Sequence, residues 1–502
     1  MRRSAALLAG LSLAGGALLG GCTGGSDPDP AQGSPAAPAA TEPMSLDLLV
    51  FNVEYGGTPA SDAVLADLDA DVVGVLESYN RLPEIAAAAE YPYYNVGLQI
   101  LSKYPILEPS GADGLYAWIE VRPGEAVAMI NTHLDYVQYG PDRLARGVPV
   151  ADVLATEEEV RLSSIETLLP SAERLLGDGW PMLFTGDLNQ PSHLDWTAET
   201  AAEHGGVGAV AWPVSEALGG AGLSDAYREV HPDPAAEAGT TWGGVADSKG
   251  LPDRIDYAYV GGPVEVESSE VVGERGGPGV DRGYAKWTSD HRAVLSTLTV
   301  EPVPIPTTVA LSSRMVTVGD DVTVTYRMPE ADGTVTLTGP SSASYDVTGT
   351  SGTVEVPTGS LPDGAYRVDL LNGGGGVVAT NDLYVRPTDT KVEVTTDASS
   401  YAVGDPITVH WANGPANRWD WIGVYPADAA DPAKDSYGLW GYTGGHDAGA
   451  VPPSTEGDFV LGRDHQGRPW PLPPGRYVVH YLPTDQYVSI GSTAFTVRGD
   501  SG

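Results

Sequence analysis

The chain has a single cysteine, Cys22, in 502 residues, so no intramolecular disulfide can form. If it is exported, it must hold its shape by packing and metal alone. Lysine is scarce, at positions 103, 249, 286, 391 and 434 only. Lys+Arg 27 stand against Asp+Glu 67, a net charge of −40, and no Lys/Arg-rich run occurs. Nucleic-acid affinity rests largely on Lys and Arg neutralising phosphates, and so acidic a surface repels polyanions at long range. Both points argue against a nucleic-acid partner. A saline habitat or genome composition accounts for the acidity equally well and leaves that argument intact. The apolar run Ala5 to Leu19 is shorter than the roughly 20 residues that a membrane-spanning helix needs.

That run follows Met1-Arg2-Arg3 and ends in Leu19-Gly20-Gly21-Cys22. A positive start, an apolar middle and small residues before a cleavage point read as a signal peptide. The last four residues resemble the lipobox of bacterial lipoproteins, which implies lipidation of Cys22, anchoring to the membrane and a place outside the cytoplasm at the cell envelope. Ordinary secretion is the alternative. Residues 23–44 are mainly Gly, Ser, Asp, Pro and Ala, too poor in large apolar side chains to fold, and read as a tether.

The chain is too long for one hydrophobic core. Leu46 to Phe51 and Asp71 to Glu77 read as buried strands, with Ser61 to Leu68 as an amphipathic helix between them. Ala126 to Asn131 and Met182 to Thr185 are further strands; Glu157 to Leu169 and Ser171 to Leu176 read as helices. Such alternation predicts one α/β domain over residues 45–300. Pro302-Val303-Pro304-Ile305-Pro306 reads as a stiff linker. Beyond it the pattern is all-β, with alternating Val and Thr and many Gly and Pro turns. Val318-Gly319-Asp320-Asp321-Val322-Thr323-Val324 aligns with Val403-Gly404-Asp405-Pro406-Ile407-Thr408-Val409, and Asp363-Gly364-Ala365-Tyr366 with Pro474-Gly475-Arg476-Tyr477. The second copy carries an insertion between the two matches. Two immunoglobulin-like sandwiches over residues 304–387 and 388–499 are expected.

Four short strings in the α/β region carry the chemistry: Thr132-His133-Leu134, Gly186-Asp187-Leu188-Asn189, Arg254-Ile255-Asp256-Tyr257 and Ser289-Asp290-His291, with Asn52 and Glu77 upstream. They hold two histidines with several carboxylates and amides, the inventory for metal-assisted attack on a phosphoester. Glu77 ends an apolar strand, where a charge is costly unless a cation or donor meets it. A lone histidine is more often structural than catalytic, and Gly-Asp with Asn favours a turn. The ordered set outweighs those bland readings.

Together with Ser102-Lys103-Tyr104-Pro105-Ile106, these strings resemble the endonuclease/exonuclease/phosphatase superfamily, which includes deoxyribonuclease I, inositol phosphatases and bacterial sphingomyelinases. The resemblance covers about half of the chain. It implies a four-layered α/β sandwich with its site at one end of two mixed sheets. It further implies that Glu77 binds Mg²⁺ or Mn²⁺, with Asn52 and Asp290 completing or supporting the metal shell. Asp187 and Asn189 would position the attacking water and a phosphate oxygen, and His133 would stabilise developing charge. His291, oriented by Asp256, would be general base, an assignment that the family leaves open between His291 and Asp187.

Lys103, Tyr116 and His193 are candidate substrate contacts, with solvated, core and capping roles as their alternatives. Tyr136 and Tyr139 could stack on a substrate or pack in the core. Trp419-Asp420-Trp421-Ile422-Gly423 faintly resembles a string of SKICH domains. Packing is the default for its aromatics, and a surface patch that binds glycan or lipid the sharper alternative. The expected protein is an exported, lipid-anchored, Mg²⁺-dependent phosphoesterase acting on small phosphoesters or phospholipid head groups. A secreted nuclease and a non-enzymatic envelope-binding protein are the alternatives.

Overall fold

The computed structural model describes residues 42–243, 251–388, 391–415, 419–429, 432, 438–443, 455–467, 469–483 and 487–499. The expected signal peptide, Cys22 and most of the 23–44 tether lie outside them. Among the described residues no helix is long and apolar enough to cross a membrane.

Six strands position the site: β1 (Met44–Asn52), β2 (Val72–Leu76), β3 (Glu125–His133), β4 (Met182–Asp187), β5 (Asp256–Gly261) and β6 (Ala293–Val300). β1 runs parallel to β2 and antiparallel to β6 within one seven-stranded sheet. β4 runs parallel to β3 and antiparallel to β5 within another. Side chains alternate between faces along each strand, and the apolar ones divide accordingly. Leu46 and Leu48 meet Val127, Met129, Leu183 and Val260 between the sheets. Leu49 and Phe51 pack outward against Val64, Leu65 and Leu68 of helix Pro59–Leu68. Ala126, Ala128, Ile130 and Phe184 pack outward against Ala172 and Leu175 of helix Leu169–Gly177. The result is helix, sheet, sheet, helix, the four layers expected.

A polar layer lies between the sheets beneath the site. Asn131 donates to the carbonyls of Val75, Leu98 and Gln99, and its amide oxygen accepts from Thr185 at 2.9 Å. Gly74 makes room for it, since a Cβ there would stand 2.1 Å from Thr185 Oγ1 and 2.5 Å from Asn131 Oδ1.

Two expectations need correction. The continuous helix expected over Glu157 to Leu169 is instead helix Val150–Glu157, a π-helical turn at Glu158–Leu162 and a short helix at Ser163–Ile165. A turn at residues 166–168 separates it from helix Leu169–Gly177, which carries Pro170 in its first turn, where the missing N–H costs nothing. The π turn carries Arg161, whose guanidinium pairs with Glu157 at 2.7 Å with both side chains fully buried. The Pro302 to Pro306 segment is not merely a linker. Val303 and Pro304 pair with Ala126 and Glu125 on β3 and with no other strand, an edge position where a missing N–H is tolerated. Val303, Ile305 and Ala310 are buried in the core of the second sheet.

The β-rich region forms two units of two sheets each, sharing one topology. In the first, strands at 308–311, 321–327 and 351–357 face strands at 315–317, 377–386, 364–372, 333–338 and 342–347. In the second, strands at 393–396, 407–412 and 457–461 face strands at 400–402, 491–498, 475–482, 421–426, 439–442 and 466–467. The added strand 466–467 falls in the insertion that the repeat implies. Each unit encloses its own apolar cluster, around Val324 and Val368 in one and Val409 and Val479 in the other.

Candidate active site

The C-terminal ends of β1 to β4 and the N-terminal ends of β5 and β6 lie at one end of the paired sheets. Asn52 is the last residue of β1, in register with Leu76, so Glu77 follows beside it. His133 and Asp187 end β3 and β4 in register, and Asp256 opens β5 opposite Asp187. Asp290 and His291 lead into β6. The expected catalytic and metal residues are thus brought together by strand register.

The amide nitrogen of Asn52 donates to Glu77 Oε1 at 3.2 Å and to Asp187 Oδ2 at 3.0 Å. Asp187 Oδ1 accepts from the backbone N–H of Asn189 at 2.9 Å. The Asn189 amide nitrogen lies 3.1 Å from His133 Nε2 and donates to the Leu134 carbonyl at 2.9 Å. His291 Nδ1 lies 2.9 Å from Asp256 Oδ2, and its Nε2 stands 3.7 Å from Asp187 Oδ2. Ser289 ties the last string to the first: its hydroxyl donates to the Asn52 carbonyl at 2.7 Å and accepts from His291 N–H. Glu77 and Asn189 hold φ of 57° and 45°, a left-handed backbone that is uncommon for residues with a Cβ and gathers at functional sites.

Burial acts strongly on these charges. It would favour a neutral His291, but the Asp256 and Asp187 carboxylates outweigh it and push the ring up to about 10. Burial, with Asp256 adding repulsion, pushes Asp187 up to about 6 against the pull of the two histidines. The two shifts have opposite causes: carboxylates keep the His291 imidazole charged, and burial favours a protonated Asp187.

Two groups could hold a cation. Asp187, Asp256 and His291 offer ligand atoms within 4.8 Å of one another. The His291–Asp256 contact and the Asn52 donor engage part of this group, while Asp256 Oδ1 is buried without a hydrogen-bond partner. Glu77 and Asp290 differ. Burial raises the Asp290 carboxyl, and Glu77 adds to the rise. Glu54, missed in the sequence, is raised by burial and by Asp290 and Glu77, while its carboxylate accepts the Asp290 N–H at 3.0 Å. Among the described residues, the cationic side chain that offsets this repulsion is His291. Oxygen donors with excess negative charge fit a hard divalent cation. Trp242 was also missed; its indole donates to Asp290 Oδ2 at 3.2 Å. Neither Glu54 nor Trp242 sits in a recognisable string.

A model of the Endonuclease/Exonuclease/phosphatase family matches residues 49–291, the segment that holds every one of these groups. These residues form a domain of that family. An uncharacterized protein of Caenorhabditis elegans is 28% identical to this chain over 245 residues, 42% of this chain and 75% of its own length. A solved endonuclease/exonuclease/phosphatase from Beutenbergia cavernae is 16% identical, covering 68% of this chain and 100% of its own, with a TM-score of 0.30. The mannosyl-6-phosphatase of Bacteroides thetaiotaomicron is 15% identical, covering 50% of this chain and 99% of its own, with a TM-score of 0.33. Endonuclease/exonuclease/phosphatase domains are hydrolases acting on phosphoesters.

Lys103 and Tyr116 lie elsewhere in the family domain, and the contact given by His193 is to the scaffold. Lys103 is at the far end of the first sheet. It follows strand Ile100–Ser102, which runs antiparallel to β2 and sets Ser102 opposite Val72, whereas Glu77 follows the other end of β2. Its ammonium pairs with Asp69 at 2.9 Å. Tyr116 is buried in the core and receives a hydrogen bond from Arg174 at 2.9 Å. His193 is half-buried, with Nδ1 2.8 Å from Ser215 Oγ. The Gln190 side chain serves the scaffold, donating to Glu157 at 2.7 Å and accepting from the Val214 N–H. Arg254 is buried between Asp195 and Asp225.

Proposed function

We propose that this chain is an exported, lipid-anchored, divalent-metal-dependent phosphoesterase that hydrolyses small phosphomonoesters or diesters, or phospholipid head groups, at the cell envelope. The observation that carries the chemistry is the meeting of His291–Asp256, Asp187, Asn189–His133 and Asn52–Glu77 at one end of the sheets.

Glu77 and Asp290 would hold Mg²⁺ or Mn²⁺, with Asn52 and Glu54 beside them. A hard cation there supplies positive charge to a phosphate oxygen. Asp187, or His291 in its neutral form, takes the proton of an attacking water, and Asp256 keeps the imidazole oriented through Nδ1. Asn189 holds His133 by Nε2, and both can donate toward charge growing on the phosphoryl oxygens. The left-handed turns at Glu77 and Asn189 fix these groups before substrate arrives.

Small esters fit the charge of the chain. At −40 a long polyanion finds few cationic contacts, while global repulsion is screened beyond about 8 Å at physiological salt and hinders a small ester little. The anchor rests on Cys22 and the segment before it.

The test is a substrate panel with Mg²⁺: p-nitrophenyl phosphate, bis-p-nitrophenyl phosphate, sphingomyelin and duplex DNA. Turnover of a small ester or head group is expected, with DNA cleaved poorly. Nanomolar DNA affinity that falls steeply with salt would instead support the nuclease reading.

A further inference from the structure

Glu157 and Arg161 lie four residues apart, the spacing of ion pairs that ordinarily sit in water on a helix face. Here both side chains are fully buried, with Arg161 Nη1 donating to Glu157 Oε2 at 2.7 Å. Glu157 closes helix Val150–Glu157, and Arg161 lies in the π turn that follows, an irregularity that gathers at functional sites. Taking both charges out of water is costly, and apolar residues of similar size hold such a core as well or better. Stability alone therefore does not account for the pair.

Its remaining hydrogen bonds run to the two segments that leave β3 and β4. Arg161 Nη2 donates to the carbonyl of Val137 at 3.1 Å, four residues beyond His133. That segment is folded on itself, the Val137 N–H donating to Asp135 Oδ1 at 2.7 Å. Burial raises the Asp135 carboxyl, and Arg161 is the largest pull against it. On the other side Glu157 Oε2 accepts from the Gln190 amide at 2.7 Å, one residue beyond Asn189. The Gln190 carbonyl is held in turn by the Tyr257 hydroxyl at 3.1 Å. Gly140 lets the first segment close over the pair, since a Cβ there would stand 2.6 Å from Glu157 Oε1.

The two segments meet at the site, where Asn189 Nδ2 lies 3.1 Å from His133 Nε2. Loops tied to one buried pair cannot slide past each other without leaving a polar group unpaired in the core. Resting on the phosphoesterase reading above, we propose that Glu157 and Arg161 are positioning residues that set His133 against Asn189, so that both donors aim at the phosphoryl group. The pair touches no substrate and acts through His133.

The test replaces the pair by apolar side chains, Glu157→Leu with Arg161→Met, because an ion pair removed whole leaves no buried charge behind. In the full chain labelled with ¹³C-histidine, the His133 ring signal, identified by its absence in His133→Gln, should shift or broaden, while that of His291 stays in place. Against an ester of the panel, kcat should fall by about tenfold or more, with KM moved by less than about threefold, since misplacing a group that acts in the transition state costs rate rather than binding. On a His133→Ala background the same replacement should cost little more, because the group it positions is gone. Should the double variant fail to fold, Gln190→Met keeps the ion pair, breaks only the link to the Asn189 segment, and should move the same signal and rate. An unaltered His133 signal, an unchanged kcat, or a loss that multiplies fully with that of His133→Ala would overturn the proposal. Failure of the phosphoesterase reading would show separately, as a wild type that hydrolyses no ester of the panel, and the His133 signal tests the positioning without turnover.

Discussion

The imidazole of His291, carried by the first sheet, lies 2.9 Å from the carboxylate of Asp256, carried by the second. Its other nitrogen faces Asp187 at 3.7 Å, so the ring joins both sheets at the catalytic end. Charges this close in a buried site are expected to make the two residues one functional unit. His291→Ala and Asp187→Asn should each lower kcat by at least about 10²-fold. The double variant should be little worse than either single one. Multiplying losses would mean independent roles. Asp256→Asn leaves the imidazole in place and should lose less.

Gly74 sits against Asn131 and Thr185 of the facing sheet with no room for a Cβ. Neither neighbour can yield easily, because Asn131 is held by three carbonyls. Gly74→Ala should cost on the order of 1–3 kcal/mol by overpacking. Chemical denaturation reads this directly, and unchanged stability would show that the polar layer is soft.

Asp253 is buried, accepting from the Trp196 indole at 3.0 Å and the Tyr139 hydroxyl at 2.8 Å. Burial pushes its carboxyl up to about 7, against the pull of those two donors. Between the unfolded carboxylate range and pH 7 the unfolded chain has released a proton that the folded chain still holds. Stability from this group is therefore full at low pH and lost as pH rises toward 7, by about 1.4 kcal/mol for each pH unit crossed. Asp253→Asn should remove that slope and raise the denaturation midpoint more at pH 8 than at pH 5. An equal change at both values would contradict the assignment.

Cys22 is the proposed anchor. Cys22→Ala should release the protein from the membrane fraction. Unchanged membrane association on fractionation would mean that something other than Cys22 holds the chain there.

Much of the site was legible because Asn52, Glu77, His133, Asp187 and Asp256 each stand at the end of an apolar strand, a local pattern. What was not legible depends on pairing or on distant chain. Lys103 also follows a strand, but that strand runs antiparallel to β2, which sends the residue to the wrong end of the sheet. Tyr116 looks the same as a rim aromatic until the core closes over it. Glu54 joins the site through Asn52 and Asp290, Trp242 through Asp290 and His291, and Trp419 approaches from another domain. The proline-rich 302–306 segment has the composition of a linker, and only its pairing with β3 shows Val303 as part of the fold.

The central claim is that oxygen donors around Glu77 hold a divalent cation that the phosphoester chemistry requires. The most direct measurement is nitrophenolate release from bis-p-nitrophenyl phosphate and p-nitrophenyl phosphate by purified protein, before and after EDTA, with Mg²⁺ or Mn²⁺ restored. The account predicts turnover that EDTA abolishes and the cation restores, with Glu77→Gln shifting half-saturation to higher metal concentration. Full activity in a metal-free preparation would contradict it.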